Sequence, residues 1–352
     1  MAPFPHGRNS VGRDGRPPCC GNASCVPICP IGAKYDASVH VAKAEAAGAR
    51  VVPLAIAHEI VVGPDRKVTA IRFKRPDGSV HEARGRAFVV AAHSIETPKL
   101  LLMSRVPGAS HTVANGSDQV GRNLLTQLDA GMIGLTREKL WPYRGPVETS
   151  GIRELRDGDF RGMHGASGTS PSNEGWVRAL GPMKLAQRFA AQGLTGAALQ
   201  AAISDHMARE LAIGPSVEVL PNPNNRVTLA LDRPDPLGLP RPRIWFNWGT
   251  YEQEGMKVAM EYVLGLMNAL GASDVQRAGP VTDAAVMGGT CRMGDDPRTS
   301  VVDRNLRAHD HPNLYIVGSA TFPTITASPP TLTIAAFALR AGLSIRRDLG
   351  VA

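Results

Sequence analysis

The chain has 352 residues, 43% hydrophobic and 20% charged, a formal net charge of +8 and five cysteines. That length allows two or more domains with full cores, so disulfides are not needed as staples, and the ordinary composition excludes disorder as the default. The basic residues are spread without a like-charged block or aromatic–basic interleaving, which reads as a solvated surface and not a nucleic-acid interface; no apolar run reaches the length of a membrane span, and MAPFPHGRNS has no apolar signal core.

The first feature in chain order is a cysteine-rich stretch, residues 17–30, which holds Cys19, Cys20, Cys25 and Cys29 and leaves only Cys291 for the rest of the chain. Its prolines and glycine dictate an irregular loop able to fold several thiolates around one point. Three readings stand. Zinc sites favour two separated Cys-x-x-Cys pairs, and there is no second pair here. Disulfides are open, although adjacent Cys19 and Cys20 can scarcely bond each other. An iron–sulfur cluster needs thiolates converging from a compact loop that often ends in Cys-Pro, and Cys29-Pro30 has that form, though the spacing is not that of a standard ferredoxin.

Residues 38–47 predict a helix stopped by Gly48, and 50–55 a short buried strand. Strands at 68–74 and 80–83 read as a hairpin turning on Asp77-Gly78. Residues 87–92 (AFVVAA) predict a buried strand, followed by His93, Ser94 and a helix with Pro98 in its first turn. Residues 126–280 change character: Gly and Pro are frequent up to Gly181, strands are expected at 226–231 and 243–248, and an amphipathic helix at 251–270. This predicts a mixed, largely antiparallel second domain. Then come Gly288-Gly289-Thr290-Cys291-Arg292-Met293-Gly294, a strand at 313–317, Gly318-Ser319, and a last helix from Thr331. The reading is therefore α/β, divided into 1–125, 126–280 and 281–352, with no internal repeat. Gly318 and Ser319 end a buried strand, where open α/β sheets place ligands. The helix start at Thr331 and Leu332 offers free N–H groups and a positive dipole end. Cys291 reads as a small buried hydrophobe.

Several long motifs resemble one family. GGTCRMGDDPRTSVVDRNLRAHDHPNLYIVGSATFP and PPTLTIAAFALRAG are similar to the C-terminal signature of the glucose-methanol-choline (GMC) flavoprotein oxidoreductases, and AAHSIETPKLLLMSR to their strand-to-helix element. CCGNASCVPICPIGAKYDA, LPNPNNRVTL and DPLGLPRPRI resemble the branch of gluconate, sorbitol, fructose and FAD-dependent glucose dehydrogenase large subunits. The resemblance implies part of a two-dinucleotide-type FAD-binding domain with a mixed α+β substrate domain, and hydride transfer from the CH–OH carbon of an alcohol, sugar or sugar acid to FAD. It implies FAD contacts at Gly318, Ser319, Thr331 and Leu332, and a 3Fe-4S cluster on Cys19, Cys25 and Cys29 that passes electrons to a cytochrome c partner. A small chaperone-like subunit and a periplasmic or membrane-associated setting belong to the same implication.

Two departures qualify it. No Gly-x-Gly-x-x-Gly occurs in the chain, so the FAD fingerprint is absent, and a truncated or split gene product, or an incomplete gene model, is expected. Counting from Thr290, the family's catalytic histidine falls on Val286, and its Asn or His partner on Pro329; neither can handle a proton. The catalytic group is thus unassigned. His93 is a candidate substitute at a strand end, while His309 and His311 are expected as surface or loop histidines. The alternatives are a non-catalytic iron–sulfur module and a catalytically dead remnant.

Overall fold

In the computed structural model, which describes residues 1–25, 28–172, 181–284 and 286–351, contacts divide the chain into two discontinuous units. One comprises Met1–Val51, Leu128–Val217 and Thr250–Thr282; the other comprises Val52–Gln127, Glu218–Gly249 and Asp283–Ala352. The sequence reading divides at 125/126 and 280/281, whereas the units also change at 51/52, 217/218 and 249/250.

In the first unit the helix Ser38–Ala46 ends where expected, because Gly48 takes φ +94°. Strand Glu210–Glu218 pairs antiparallel with Met132–Leu135 on one edge and Ser167–Ser172 on the other, and Ser273–Arg277 adds to Met132–Leu135. The helix Thr250–Ala269 buries Met256, Ala259, Met260, Val263 and Met267, the i, i+3/i+4 stripe of an amphipathic helix. Gly255 within it is required: a Cβ there would sit 2.7 Å from the Gly165 carbonyl oxygen. Two helices that the composition did not announce, Pro182–Ala191 and Gly196–Arg209, complete the unit.

A correction comes where the chain leaves the first unit for the second. Residues 50–55, expected as a buried strand, are irregular, with Leu54 69% exposed. Pro53 has no N–H to give to a ladder, and Leu54 takes φ +54°. The strand is instead Ile56–Val62, which joins Val68–Lys74 and Val80–Arg84 in an antiparallel meander. The Asp77-Gly78 turn stands as read, with Gly78 at φ +83°. The strands expected at 87–92 and 313–317 are shorter, Phe88–Val90 and Leu314–Ile316, and pair in parallel, Leu314 opposite Phe88 and Ile316 opposite Val90. The helix His93–Met103 starts early enough that Pro98 lies in its second turn, not its first. Its Leu100 and Leu101 pack into one core with Ile60, Val68, Leu314 and Ile316. Each such side chain contributes about 1.5–3 kcal/mol relative to exposure. Strands Arg226–Pro234 and Pro240–Trp245 form an antiparallel hairpin that ends at Trp245 rather than 248, and the last helix runs Thr331–Asp348. Among the described residues no helix is long and apolar enough to cross a membrane.

Candidate functional site

The parallel pair delivers the chain to the residues singled out from sequence. Past Ile316, Val317 N–H donates to the Val90 carbonyl at 3.0 Å. Gly318 then turns at φ +99°, ψ −174°, a region open essentially to glycine alone. The turn Ser319–Thr321 follows, fully buried.

Around that turn the Gly288–Gly294 segment is fastened along its backbone. Gly289, Cys291 and Met293 N–H donate to the carbonyls of Ser319, Ala320 and Thr321 at 3.2, 2.7 and 2.8 Å. Both glycines are needed for the approach: a Cβ at Gly288 would meet Ile325 at 2.4 Å, and one at Gly289 the Asn123 carbonyl oxygen at 1.9 Å. Three hydroxyls add a side-chain layer. Ser94 donates to the Met287 carbonyl at 3.0 Å, so its contact with Ser319 Oγ, also 3.0 Å, is a bond that Ser319 donates. Thr290 Oγ1 donates to the Ser94 carbonyl at 2.7 Å. Cys291 is wholly buried, as expected, and burial pushes its thiol well above the ordinary range.

The last helix joins this region through Phe322 and Phe337, edge to face with centroids 5.4 Å apart. No side chain caps its first turn, Thr331 is exposed and Leu332 is 83% exposed. The first N–H groups are thus open donors at the positive end of the helix. This fits a group that develops negative charge at one edge, as the isoalloxazine ring of FAD does, and Thr331 and Leu332 would hold it.

Val286 packs beside Leu125, Phe322 and Ile325, and Pro329 is exposed; neither carries a proton-handling atom. Sequence reasoning missed Gln127, which lies between these two stretches. Its carbonyl accepts from Ala284 N–H at 2.9 Å, and its Nε2 donates to the carbonyls of Thr326 and, at 3.1 Å, Ser328. The only available signal was a polar pair, Thr126-Gln127, inside an apolar run.

The histidines separate cleanly. His93 is exposed and opens its helix at φ +64°, a strained conformation for a residue with a Cβ. His309 Nε2 lies 2.9 Å from Ser300 Oγ and 3.1 Å from the Gly294 carbonyl. His311, expected as a surface or loop histidine, lies in a loop but is 1% exposed: Nε2 accepts from Ala114 N–H at 3.1 Å, so Nδ1 donates to the Arg66 carbonyl at 2.8 Å. It is a neutral structural histidine, its pKa lowered chiefly by burial.

In the cysteine loop, Cys25 is buried, Cys19 and Cys29 are partly buried and Cys20 is exposed; Val26 and Pro27 lie outside the described residues. Backbone N–H groups, that of Lys34 first, lower the Cys29 thiol pKa. Among the described residues no three His, Cys, Asp or Glu side chains stand together as a metal-ligand set. The donors have the right chemistry for a cluster, but Cys19, Cys25 and Cys29 are not gathered around a point.

Comparison with known proteins bears on the whole chain. Two family profiles, both described as GMC oxidoreductase, match residues 7–129 and 221–338, together more than half of it. The chain is 38% identical over 348 residues to the fructose dehydrogenase large subunit of Gluconobacter japonicus, covering 99% of this chain and 63% of that protein. It is 30% identical over 292 residues to 2-methyl-1,2-propanediol dehydrogenase of Mycolicibacterium austroafricanum, 77% of this chain and 49% of the relative. Among solved structures, pyridoxine 4-oxidase from Mesorbium loti superposes with a TM-score of 0.60 at 17% identity, over 83% of this chain and 57% of that one. The chain thus spans about half to just under two thirds of the length of these relatives.

Proposed function

The chain belongs to the GMC oxidoreductase family, and from that premise we propose that it serves an FAD-dependent oxidoreductase acting on the CH–OH groups of sugars, polyols or sugar acids. The observation that carries this reading is the uncapped, exposed start of the helix Thr331–Asp348, fastened through Phe322 and Phe337 to the Gly318-Ser319 turn. FAD, when bound, would supply the hydride acceptor for the substrate carbon. The N–H groups of Thr331 and Leu332 stabilise negative charge at the ring edge, in the manner of an oxyanion hole. Gly318 lets the backbone approach without a side chain, and the Ser94–Ser319–Thr290 hydroxyls hold the Met287–Thr290 stretch against the turn. Gln127 fixes the residues leading into the helix. With Val286 and Pro329 where a base and its partner would stand, proton removal is the weak step.

The test is anaerobic titration of the purified chain with FAD, followed by sugars and polyols, read by flavin fluorescence and absorbance. The chain has no glycine fingerprint to cradle the pyrophosphate, so binding is expected to be weak and bleaching slow. Absence of any flavin binding at saturating concentration would sink the reading.

A second proposal concerns the cysteine loop. Its crowding of thiols, with the Cys29 thiol pKa lowered by backbone N–H groups, supports Cys19, Cys25 and Cys29 as ligands of an iron–sulfur cluster on which the loop closes. Protein purified without oxygen should then contain iron and acid-labile sulfide. Cys25→Ser should remove most of both, and Cys20→Ser little. Stoichiometric zinc without sulfide would overturn this.

A further inference from the structure

A cavity of about 370 Å³ in the first unit has no part in the flavin-edge reading or in the cysteine loop. It lies where the strands Met132–Leu135 and Ser273–Arg277 meet the helices Pro182–Ala191 and Gly196–Arg209. Ile133, Leu135 and Val275 give it an apolar wall, while Arg188, His206, Glu210 and Asp274 bring ionisable groups to the same space.

His206 and Glu210 form its buried end. They are 7% and 1% exposed, and His206 Nε2 lies 3.5 Å from Glu210 Oε2, four residues on in the chain. The Phe189 ring meets the imidazole edge to face at 5.9 Å and holds its plane. With Nε2 turned to the carboxylate, Nδ1 is the free side of the ring. It has no partner among the described residues, and it is not sealed from solvent.

The open end carries two charges of opposite sign. The strand Ser273–Arg277 shifts register against Met132–Leu135 between Ser273 and Gln276, and Asp274 sits in that irregularity at φ +51°. A bulge re-aims a side chain, and here it gives Asp274 to the cavity. Arg188 is exposed, with its guanidinium 5.1 Å from the Phe189 ring centroid. Neither Arg188 nor Asp274 forms an ion pair with the other or with any further described residue. Asp205, one residue before His206, shows the contrast: Arg209 bridges it at 2.6 Å and Lys139 at 3.6 Å. Opposite charges that share a cavity without pairing suit a ligand that carries both.

The geometry points to a binding site for a small α-amino acid with an apolar side chain. Its carboxylate pairs with the Arg188 guanidinium, whose planar fork suits two oxygens. Its ammonium donates to the Asp274 carboxylate and to His206 Nδ1, which accepts in the tautomer that gives Nε2–H to Glu210. Its side chain lies against Ile133, Leu135 and Val275. The site uses neither flavin nor thiolate, so it stands or falls apart from both readings above.

Calorimetric titration of the full purified chain tests it with L-leucine and its two halves: 4-methylpentanoate, which lacks the ammonium, and 3-methylbutylamine, which lacks the carboxylate. Leucine should bind at least about tenfold more tightly than either, the factor that one charge-assisted pair supplies. Arg188→Gln should bring leucine down to the level of the amine, and Asp274→Asn to the level of the acid. Both side chains are exposed, and asparagine tolerates the positive φ found at Asp274. The melting temperature of the unliganded chain should therefore hold in both variants. Equal binding of leucine and either half, no binding of any probe, or full leucine affinity in Arg188→Gln or Asp274→Asn would each overturn the assignment. A fall in melting temperature in either variant would show that side chain to be structural and would count against the site in the same way.

Discussion

On the proposed reading, Val286 and Pro329 stand where a proton-handling pair would be. The surroundings of Val286 are apolar, with Leu125, Phe322 and Ile325 against it, so an imidazole there would be partly desolvated and biased toward the neutral form that accepts a proton. A positioned base contributes roughly a hundred- to ten-thousand-fold to such a step. In FAD-loaded protein, Val286→His with Pro329→Asn should therefore raise the rate of flavin reduction by sugars or polyols by about a hundredfold or more. Pro329→Ala is the control for restoring a backbone N–H. A fast unmodified protein would place the base elsewhere, with His93 the first residue to test. His311 makes a second residue-scale statement. Its folded pKa is depressed by burial from an ordinary value of 6.5. Folding stability on its account is full above about pH 6.5 and is lost as pH falls from there toward the folded value, because only the unfolded chain takes up the proton. Urea midpoints measured from pH 7.5 to 5.5 should fall for the native chain. They should fall less for His311→Gln, which starts lower by about 1–3 kcal/mol for its unpaired backbone partners. Parallel slopes would assign the acid loss to other groups.

At the scale of elements, what the sequence made legible were the pieces with strong local chemistry. The last helix was expected from Thr331, Asp77-Gly78 announced its turn, and Gly48 stopped its helix, all as the structure has them. Periodicity failed where it was interrupted. Ile56–Val62 carries His58 and Glu59 mid-strand and changes register between Ala57 and Glu59, so its alternation is broken. The apolar residues 50–55 looked better and are not a strand, because apolarity without a partner and with a proline does not make a ladder. The same limit applies to the site. Val286 and Pro329 were found by counting within a motif, whereas Gln127 reaches Thr326 and Ser328 across nearly two hundred residues.

At the scale of the whole molecule, the last helix is apolar on two sides. Ala341 and Ser344 are buried and Phe337 packs inward. On the other side Leu332, Leu339 and Leu343 are 83%, 74% and 62% exposed. Their spacing of seven and four residues lines them up along one face. A solvent-facing leucine stripe contributes little to folding and much to association. Leu339→Glu with Leu343→Lys converts it to an i, i+4 ion pair in the favourable order, worth about 0.2–0.5 kcal/mol on an isolated helix, with near-equal helix propensity. The double variant should therefore melt within a few degrees of the native chain and retain its far-ultraviolet circular dichroism. Its light scattering and sedimentation should show markedly less self-association at equal concentration. A native chain already monodisperse at tens of micromolar, or a variant that unfolds, would mean that this face is covered or needed within the folded chain.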